Sequence, residues 1–526
     1  MRTSSAAYGI LGATLLAVLA VSAFAATSPP PANPQPADQA LIAKGKYLAT
    51  AGDCVSCHTA PGGQPMAGGL GMDTPFGKIF TPNITPDRDT GIGKMTDAQF
   101  YRVMHEGIGG HGQYLYPAMP FPWYTKVTRD DVAAIKAYIF SVPPVHAPDK
   151  PNEMAFPFNI REGLLAWRTA FFTEGNFKPD PSKSDQLNRG AYLVQGLGHC
   201  GECHNGDNLM GASQAAGRLQ GGVIDNWYAP NITGDTLEGV GAWSQADLAT
   251  FLKTGAAPSS GNSGGVALGP MMETIHNSLQ YLTDEDIQAI AAYLKAVPGK
   301  ATYQEQHVAA SATGADLYLN FCASCHQQNG RGVAGQIPAL AGNGAVKARE
   351  ADNIIRVVLG GLPATKSYAP MPALGAGMSD AQIAAVANYI RTAWGNGAPA
   401  NAEPGTVGKL RGETHTLMAV NGTKGCPTST GLPEIDKTVA APDSPVAAQM
   451  KQITDANLLE TVDAIIPKVK AAAPHAPTAD LVNSLIAAYC PILIADSNMT
   501  EPQRAARLGT FSEILYGQLI RTSASN

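Results

Sequence analysis

The pattern Cys-x-x-Cys-His occurs three times in this chain, at Cys54/Cys57-His58, Cys200/Cys203-His204 and Cys322/Cys325-His326. With only 8 Cys and 11 His in 526 residues, chance does not assemble such a set. Two thiols three positions apart share one helical turn, so both can reach the vinyl groups of a single porphyrin, and the next residue lies under the ring as an iron ligand. The pattern predicts three covalently bound heme c groups. Cys54, Cys57, Cys200, Cys203, Cys322 and Cys325 would be the attachment points, and His58, His204 and His326 the proximal ligands. A thioredoxin-type redox pair would need a surrounding βαβ pattern, and a zinc site a second ligand pair nearby; the sequence offers neither.

A repeat organises most of the chain around these motifs. Each is preceded by a short helical stretch carrying Gly45-Lys46-Tyr47-Leu48, Gly190-Ala191-Tyr192-Leu193 or Gly314-Ala315-Asp316-Leu317. Each is followed by a closing helix capped by Thr128, Thr283 or Ser379, with apolar residues on one face and Tyr138, Tyr293 or Tyr389 at equivalent positions. The expected fold is all-α, with cytochrome domains at 36–146, 180–298 and 309–397 and a helical C-terminal module at 413–526. Linkers are expected near 142–155, 297–313 and 395–412, where Pro, Gly and polar residues cluster. The first leads into an aromatic-rich segment, Phe156 to Phe172, read either as a bridging helix or as a docking face for a partner or membrane surface. Pro82-Asn83-Ile84-Thr85 recurs as Pro230-Asn231-Ile232-Thr233 and reads as turn residues rather than glycosylation acceptors.

A second axial ligand would separate an electron carrier from a heme open to small molecules. Met119, Met271 and Met371 each stand beside or near a proline, between motif and closing helix, and are the expected ligands. Met272 is the rival to Met271. Met72, Met104 and Met378 are expected to pack, and His199 to be an exposed helix residue.

Residues 1–25 read as a signal peptide, with Arg2, an apolar stretch and Ala23-Phe24-Ala25 as cleavage site; the alternative is an uncleaved anchor, and both readings export the chain. Cys426 and Cys490 remain outside the motifs, and in an oxidising compartment a Cys426–Cys490 disulfide is expected. It would close a loop of roughly 64 residues and contribute roughly 4 kcal/mol. A net charge of −6 without a long basic run argues against nucleic acid as a partner.

Over roughly residues 36–400 the chain resembles the triheme cytochrome c subunit of bacterial membrane-bound dehydrogenases that oxidise alcohols, aldehydes, gluconate, sorbitol or fructose. The residues that carry this are Tyr47-Leu48 with the first motif, Asn83-Ile84-Thr85-Pro86, Leu115 to Pro120, Phe156-Pro157-Phe158 with Ile160-Arg161, His199 to His204, Ala229 to Thr233, Gly269-Pro270-Met271, Ser278 to Leu282 and the third motif. The resemblance implies class I cytochrome c domains and a catalytic dehydrogenase partner, of alcohol or aldehyde class by preference, with pyrroloquinoline quinone, flavin or molybdopterin as its own cofactor. It further implies delivery of electrons to ubiquinone at the periplasmic face of the cytoplasmic membrane, with no substrate chemistry in this chain. Several relatives end in a membrane-spanning helix where this chain carries the Cys426/Cys490 module. The competing expectations are a multiheme peroxidase or reductase, which needs one heme without a distal ligand, and a stand-alone periplasmic shuttle.

Overall fold

The computed structural model describes residues 36–519, apart from 214–218, 261–262, 307–310, 363–367, 369, 372, 415–437, 440–443, 475, 477, 501–502, 505–506, 509, 513 and 516–517. The signal-peptide segment and Cys426 lie outside the described residues. The chain is mostly helical, as expected, with three small antiparallel ribbons that the sequence reading did not anticipate.

The first repeat runs α1 (Pro36–Ala51), α2 (Cys54–Cys57), a ribbon of β1 (Gly71–Thr74) and β2 (Gly77–Phe80), α3 (Asp97–Glu106), α4 (Phe121–Tyr124) and α5 (Arg129–Ile139). A third strand, β3 (Glu153–Met154), then pairs with β2. The 142–155 segment is therefore laced to the first domain rather than a free linker. Asp149 and Asn152 accept from the backbone N–H groups of Asn83 and Phe80, satisfying donors that no helix or strand would pair. After α6 (Leu164–Phe171), the second repeat holds α7 (Asp185–Gln195), α8 (Gly201–His204), the ribbon β4 (Gly222–Ile224) and β5 (Trp227–Ala229), and α9 (Gln245–Thr254). The ribbon β6 (Ala256–Ser260) and β7 (Ser263–Val266), α10 (Pro270–Asn277) and α11 (Asp284–Ala296) complete it. The third has α12 (Ala312–Phe321), α13 (Ala323–His326), α14 (Gly344–Lys347), α15 (Asp352–Gly360) and α16 (Asp380–Thr392), with α17 (Pro404–Glu413) packed on its core. The C-terminal module contributes α18 (Pro445–Met450), α19 (Leu458–Ala472) and α20 (Thr478–Ala495) around its own apolar cluster. Among the described residues no helix is long and apolar enough to cross a membrane.

The capping expected from sequence is present. Thr128, Thr283 and Ser379 accept from the N–H groups of Asp131, Asp286 and Gln382, at 3.2, 3.3 and 3.3 Å. In each repeat the first helix crosses the closing helix at a glycine. A Cβ at Gly45, Gly190 or Gly314 would lie 1.8, 2.0 or 2.5 Å from the carbonyl oxygen of Ala134, Ala289 or Ala385. Gly190→Ala should accordingly destabilise the second domain by about 1–3 kcal/mol, read as a fall in its thermal midpoint. An exposed helix interior would show the opposite sign, because alanine is there the better helix former.

Domains one and two lock together reciprocally. The Tyr47 hydroxyl donates to Asp286 Oδ2 at 2.6 Å and accepts from Thr283 N–H; the Tyr192 hydroxyl donates to Asp131 Oδ2 at 2.5 Å and accepts from Thr128 N–H. Each carboxylate is also held by a cation of its own domain, Lys44 on Asp131 at 2.7 Å and Arg189 on Asp286 through two bonds of 2.6 and 2.7 Å. The equivalent positions of domain three are Asp316 and Gln382, which cannot build this pair. That domain instead meets the second through Asn353, whose amide donates to Tyr228 O and accepts from Tyr228 N–H at 2.7 and 3.0 Å.

Burial would raise the Asp286 pKa, but the bonds from Arg189 and Tyr47 outweigh it and hold the carboxyl below its usual range. A depressed folded-state pKa gives stability that is complete above the unfolded value, about 3.9, and is lost as pH falls through the folded one. The gap in thermal midpoint between the native protein and Asp286→Asn should therefore be constant at neutral pH and close below about pH 4.

Candidate heme-binding sites

Each motif turns the same way. The His58, His204 and His326 N–H groups bond to the carbonyls of Cys54, Cys200 and Cys322 at 3.0, 3.0 and 2.8 Å, which sets both cysteines and the histidine of each motif on one short turn. Each imidazole Nδ1 then lies against a proline carbonyl: Pro82 O at 2.8 Å, Pro230 O at 2.6 Å and Pro338 O at 3.0 Å. A carbonyl only accepts, so Nδ1 carries the proton and Nε2 keeps its lone pair. That is the tautomer and the fixed ring orientation an iron ligand requires. Burial lowers the pKa of all three histidines, that of His326 to about 4, so each is neutral at physiological pH.

The proline carbonyls were not foreseen as functional. In the first two domains the Pro-Asn-Ile-Thr repeat supplies them. Asn83 and Asn231, 2% and 3% exposed, accept from the N–H and hydroxyl of Thr85 and Thr233, fixing the turn that aims the preceding carbonyl. Buried in this way, they act as turn residues. Domain three lacks the repeat, yet Pro338 delivers the same oxygen from a loop pinned by Asn343 and Asn396.

Burial pushes the thiol pKa up to about 12 at Cys54, 11 at Cys57, 12 at Cys200 and 12 at Cys203. A buried thiolate is costly there, whereas an uncharged thioether has no such penalty. Among the described residues no group of three or more His, Cys, Asp or Glu is arranged to hold a metal ion. Donor chemistry and burial fit a covalently held porphyrin at all three places.

Met119 and Met271 pack half-buried on the core of the first two domains, as do Cys54 and Cys200; Met371 packs on the core that contains Cys322. Met271 follows Pro270 in the first turn of α10. The Met272 thioether lies against Gly255, where a Cβ would come within 3.4 Å of its sulfur. Met371 is pinned by paired backbone bonds to Leu362. Met104 and Met378 are buried in the cores, and Met72 sits on β1, as packing residues. His199 departs from the expected exposed helix residue: it lies beyond α7 with φ 32°, its ring edge-on to Tyr124 of domain one at 5.7 Å, and burial lowers its pKa. Sequence could not place it, because Tyr124 comes from the other domain.

The first two motifs also face each other's methionine segments. Ser56 of the first motif accepts from Asn277 at the end of α10, 2.8 Å away. Trp123 of α4, just after Met119, donates to Glu202 of the second motif and closes over Gly201, where a Cβ would meet its ring at 2.2 Å. Burial pushes Asp53 and Glu202, at this junction, up to about 7.

Three attachment turns, each backed by an oriented neutral imidazole, define a multiheme c-type cytochrome. The family model for cytochrome c matches at residues 42–143, 187–298 and 311–394, and the chain belongs to that family. It is 41% identical over 402 residues to the cytochrome c subunit of alcohol dehydrogenase (quinone) of Gluconacetobacter polyoxogenes, covering 71% of this chain and 85% of that protein. It is 39% identical over 437 residues to the gluconate 2-dehydrogenase cytochrome c subunit of Pantoea cypripedii, covering 78% and 96%. It is 38% identical over 426 residues to the fructose dehydrogenase cytochrome subunit of Gluconobacter japonicus, covering 73% and 86%. The protein is a triheme c-type cytochrome with three covalently bound heme c groups, and its function is electron transfer.

Proposed function

We propose that this chain is the electron-transfer subunit of a quinone-dependent dehydrogenase complex on the periplasmic side of the cytoplasmic membrane. A catalytic subunit, of alcohol or aldehyde class, supplies the electrons, and membrane ubiquinone receives them. The likeness to cytochrome subunits of three such dehydrogenases over more than two thirds of the chain carries this reading. Bound heme iron supplies a one-electron Fe(III)/Fe(II) couple. The chain's own part is to hold and tune it: Cys54, Cys57, Cys200, Cys203, Cys322 and Cys325 as thioethers, His58, His204 and His326 as proximal ligands, and Met119, Met271 and Met371 as distal ones.

Apolar surface supports a docked partner. Phe156, Leu165 and Leu209 are 79%, 53% and 97% exposed, and Trp167 of α6 bonds to Met210 O, drawing the segment from domain one and the loop from domain two into one face. Cys490 is buried and disulfide-bonded, and we assign Cys426 as its partner.

The complex purified from membranes of the native host tests the reading. The exported chain should carry three heme adducts by intact mass, copurify with a larger dehydrogenase subunit, and bind no carbon monoxide rapidly when reduced. Recovery of the chain alone from the soluble periplasm would favour the shuttle, and a native high-spin heme the peroxidase.

A further inference from the structure

The closing-helix tyrosines that mark the three repeats have different surroundings. In domain two, Tyr293 accepts a hydrogen bond from Gln195, five residues beyond the crossing glycine Gly190. In domain three, Tyr389 is packed between Tyr318 and Trp394, at 5.3 and 5.5 Å between ring centres. In domain one the residue five beyond Gly45 is Thr50, too short to reach. The Tyr138 hydroxyl has no hydrogen-bond partner among the described residues. Thr50 and Tyr138, the counterparts of the bonded Gln195 and Tyr293, instead line a cavity of about 410 Å3, within the ~300–1,000 Å3 range of small-molecule sites. Its walls are mainly apolar, from Val55, Met66 and Pro143, and its polar groups include Thr50, Gln64 and Tyr138.

We infer that this cavity receives the head group of a quinone. Such a ring is flat and apolar on its faces and carries two carbonyl oxygens that accept hydrogen bonds. The cavity offers apolar faces with the Tyr138 hydroxyl and the Gln64 amide as donors. Val55 lies between the two attachment cysteines of the first motif, and burial raises the pKa of the Tyr138 hydroxyl, which stays protonated as a donor. A ring seated here would lie against Val55, next to the Cys54 and Cys57 that would hold the first heme. Its reduction to the quinol would take two electrons, which bound heme iron would supply through its one-electron Fe(III)/Fe(II) couple and the catalytic subunit would replace, and two protons from solvent, so that both ring carbonyls would become hydroxyls. The inference rests on the quinone-linked reading above and adds where the acceptor binds.

The test is photolabelling of the intact, heme-loaded complex with a short-tailed azido-ubiquinone, competed by unlabelled analogue. Competable label should fall on peptides spanning 49–66 or 138–145. Thr50→Gln, which installs the glutamine of domain two, should lower the analogue's affinity at least tenfold, and Tyr138→Phe, which removes only the hydroxyl, should lower it measurably. Three hemes per chain and native absorption spectra establish that each variant is folded. Competable label confined to another segment, or unchanged affinity in Thr50→Gln, overturns this site while leaving the quinone-linked function standing. No saturable binding by the native complex overturns both.

Discussion

Arg391→Met is expected to unfold domain three at a temperature lower by more than about 10 °C. The Arg391 side chain is fully buried, and all its donors are spent on backbone oxygens: Pro399 O from Nε, Val346 O and Glu350 O from Nη1, and Ala348 O and Arg349 O from Nη2, at 2.8 to 3.1 Å. Burial pulls its pKa down to about 10, so it stays charged at neutral pH. Methionine of similar length would take a donor from all five carbonyls; Val346 O and Ala348 O lose it in fully buried surroundings, while Arg349 O keeps a second donor, the Asn401 amide at 3.0 Å. Removing one side of such a buried charged network costs about 3–5 kcal/mol, and each kcal/mol moves the midpoint of a domain this size by about 4–8 °C. Arg391→Lys keeps the charge but has a single nitrogen and no planar fork, so it should recover only part of the loss. Calorimetry would resolve the domain-three transition; an unchanged midpoint in Arg391→Met would refute this account of how α16 is tied to the 346–350 loop.

The second large effect concerns redox poise. Replacing Met119, Met271 or Met371 by alanine, one at a time, should lower one of the three potentials and leave all hemes attached. A thioether opposite imidazole favours Fe(II), and losing a tenfold preference for that state is worth about 59 mV for a single electron. Met272→Ala should leave the potentials where they were, because its sulfur packs against Gly255. Potentiometric titration of the heme bands distinguishes these cases. If none of the three alanine variants shifts a potential, the methionines are not the ligands.

Much of this was legible in the chain because the informative residues are local. A motif of five residues declares a heme, and a capping Thr followed by a periodic apolar face declares a closing helix. Tyr138, Tyr293 and Tyr389 were recognisable as equivalents, although what surrounds each was not. The proline carbonyls behind the histidines escaped notice because a backbone oxygen has no sequence identity; only the doubled Pro-Asn-Ile-Thr hinted at them, and Pro338 gave no hint. The bonds of Tyr47 to Asp286 and Tyr192 to Asp131 span 239 and 61 positions, beyond any local rule. The ribbons are two to five residues long and rich in glycine, too short for alternation to show.

The exchanged tyrosine and aspartate contacts have the symmetry of a handshake: what one half offers, the other accepts, and the reverse. Such a surface is self-complementary, the kind by which two identical molecules close into a pair and then stop. Joined end to end in one polypeptide, the two halves keep that closure at fixed stoichiometry, independent of concentration, while each can drift on its own. Lys44 against Arg189, and Thr50 against Gln195, show the halves drifting apart. The third unit, lacking the grip, is held by different bonds, those of Asn353 to Tyr228, and stands outside the pair.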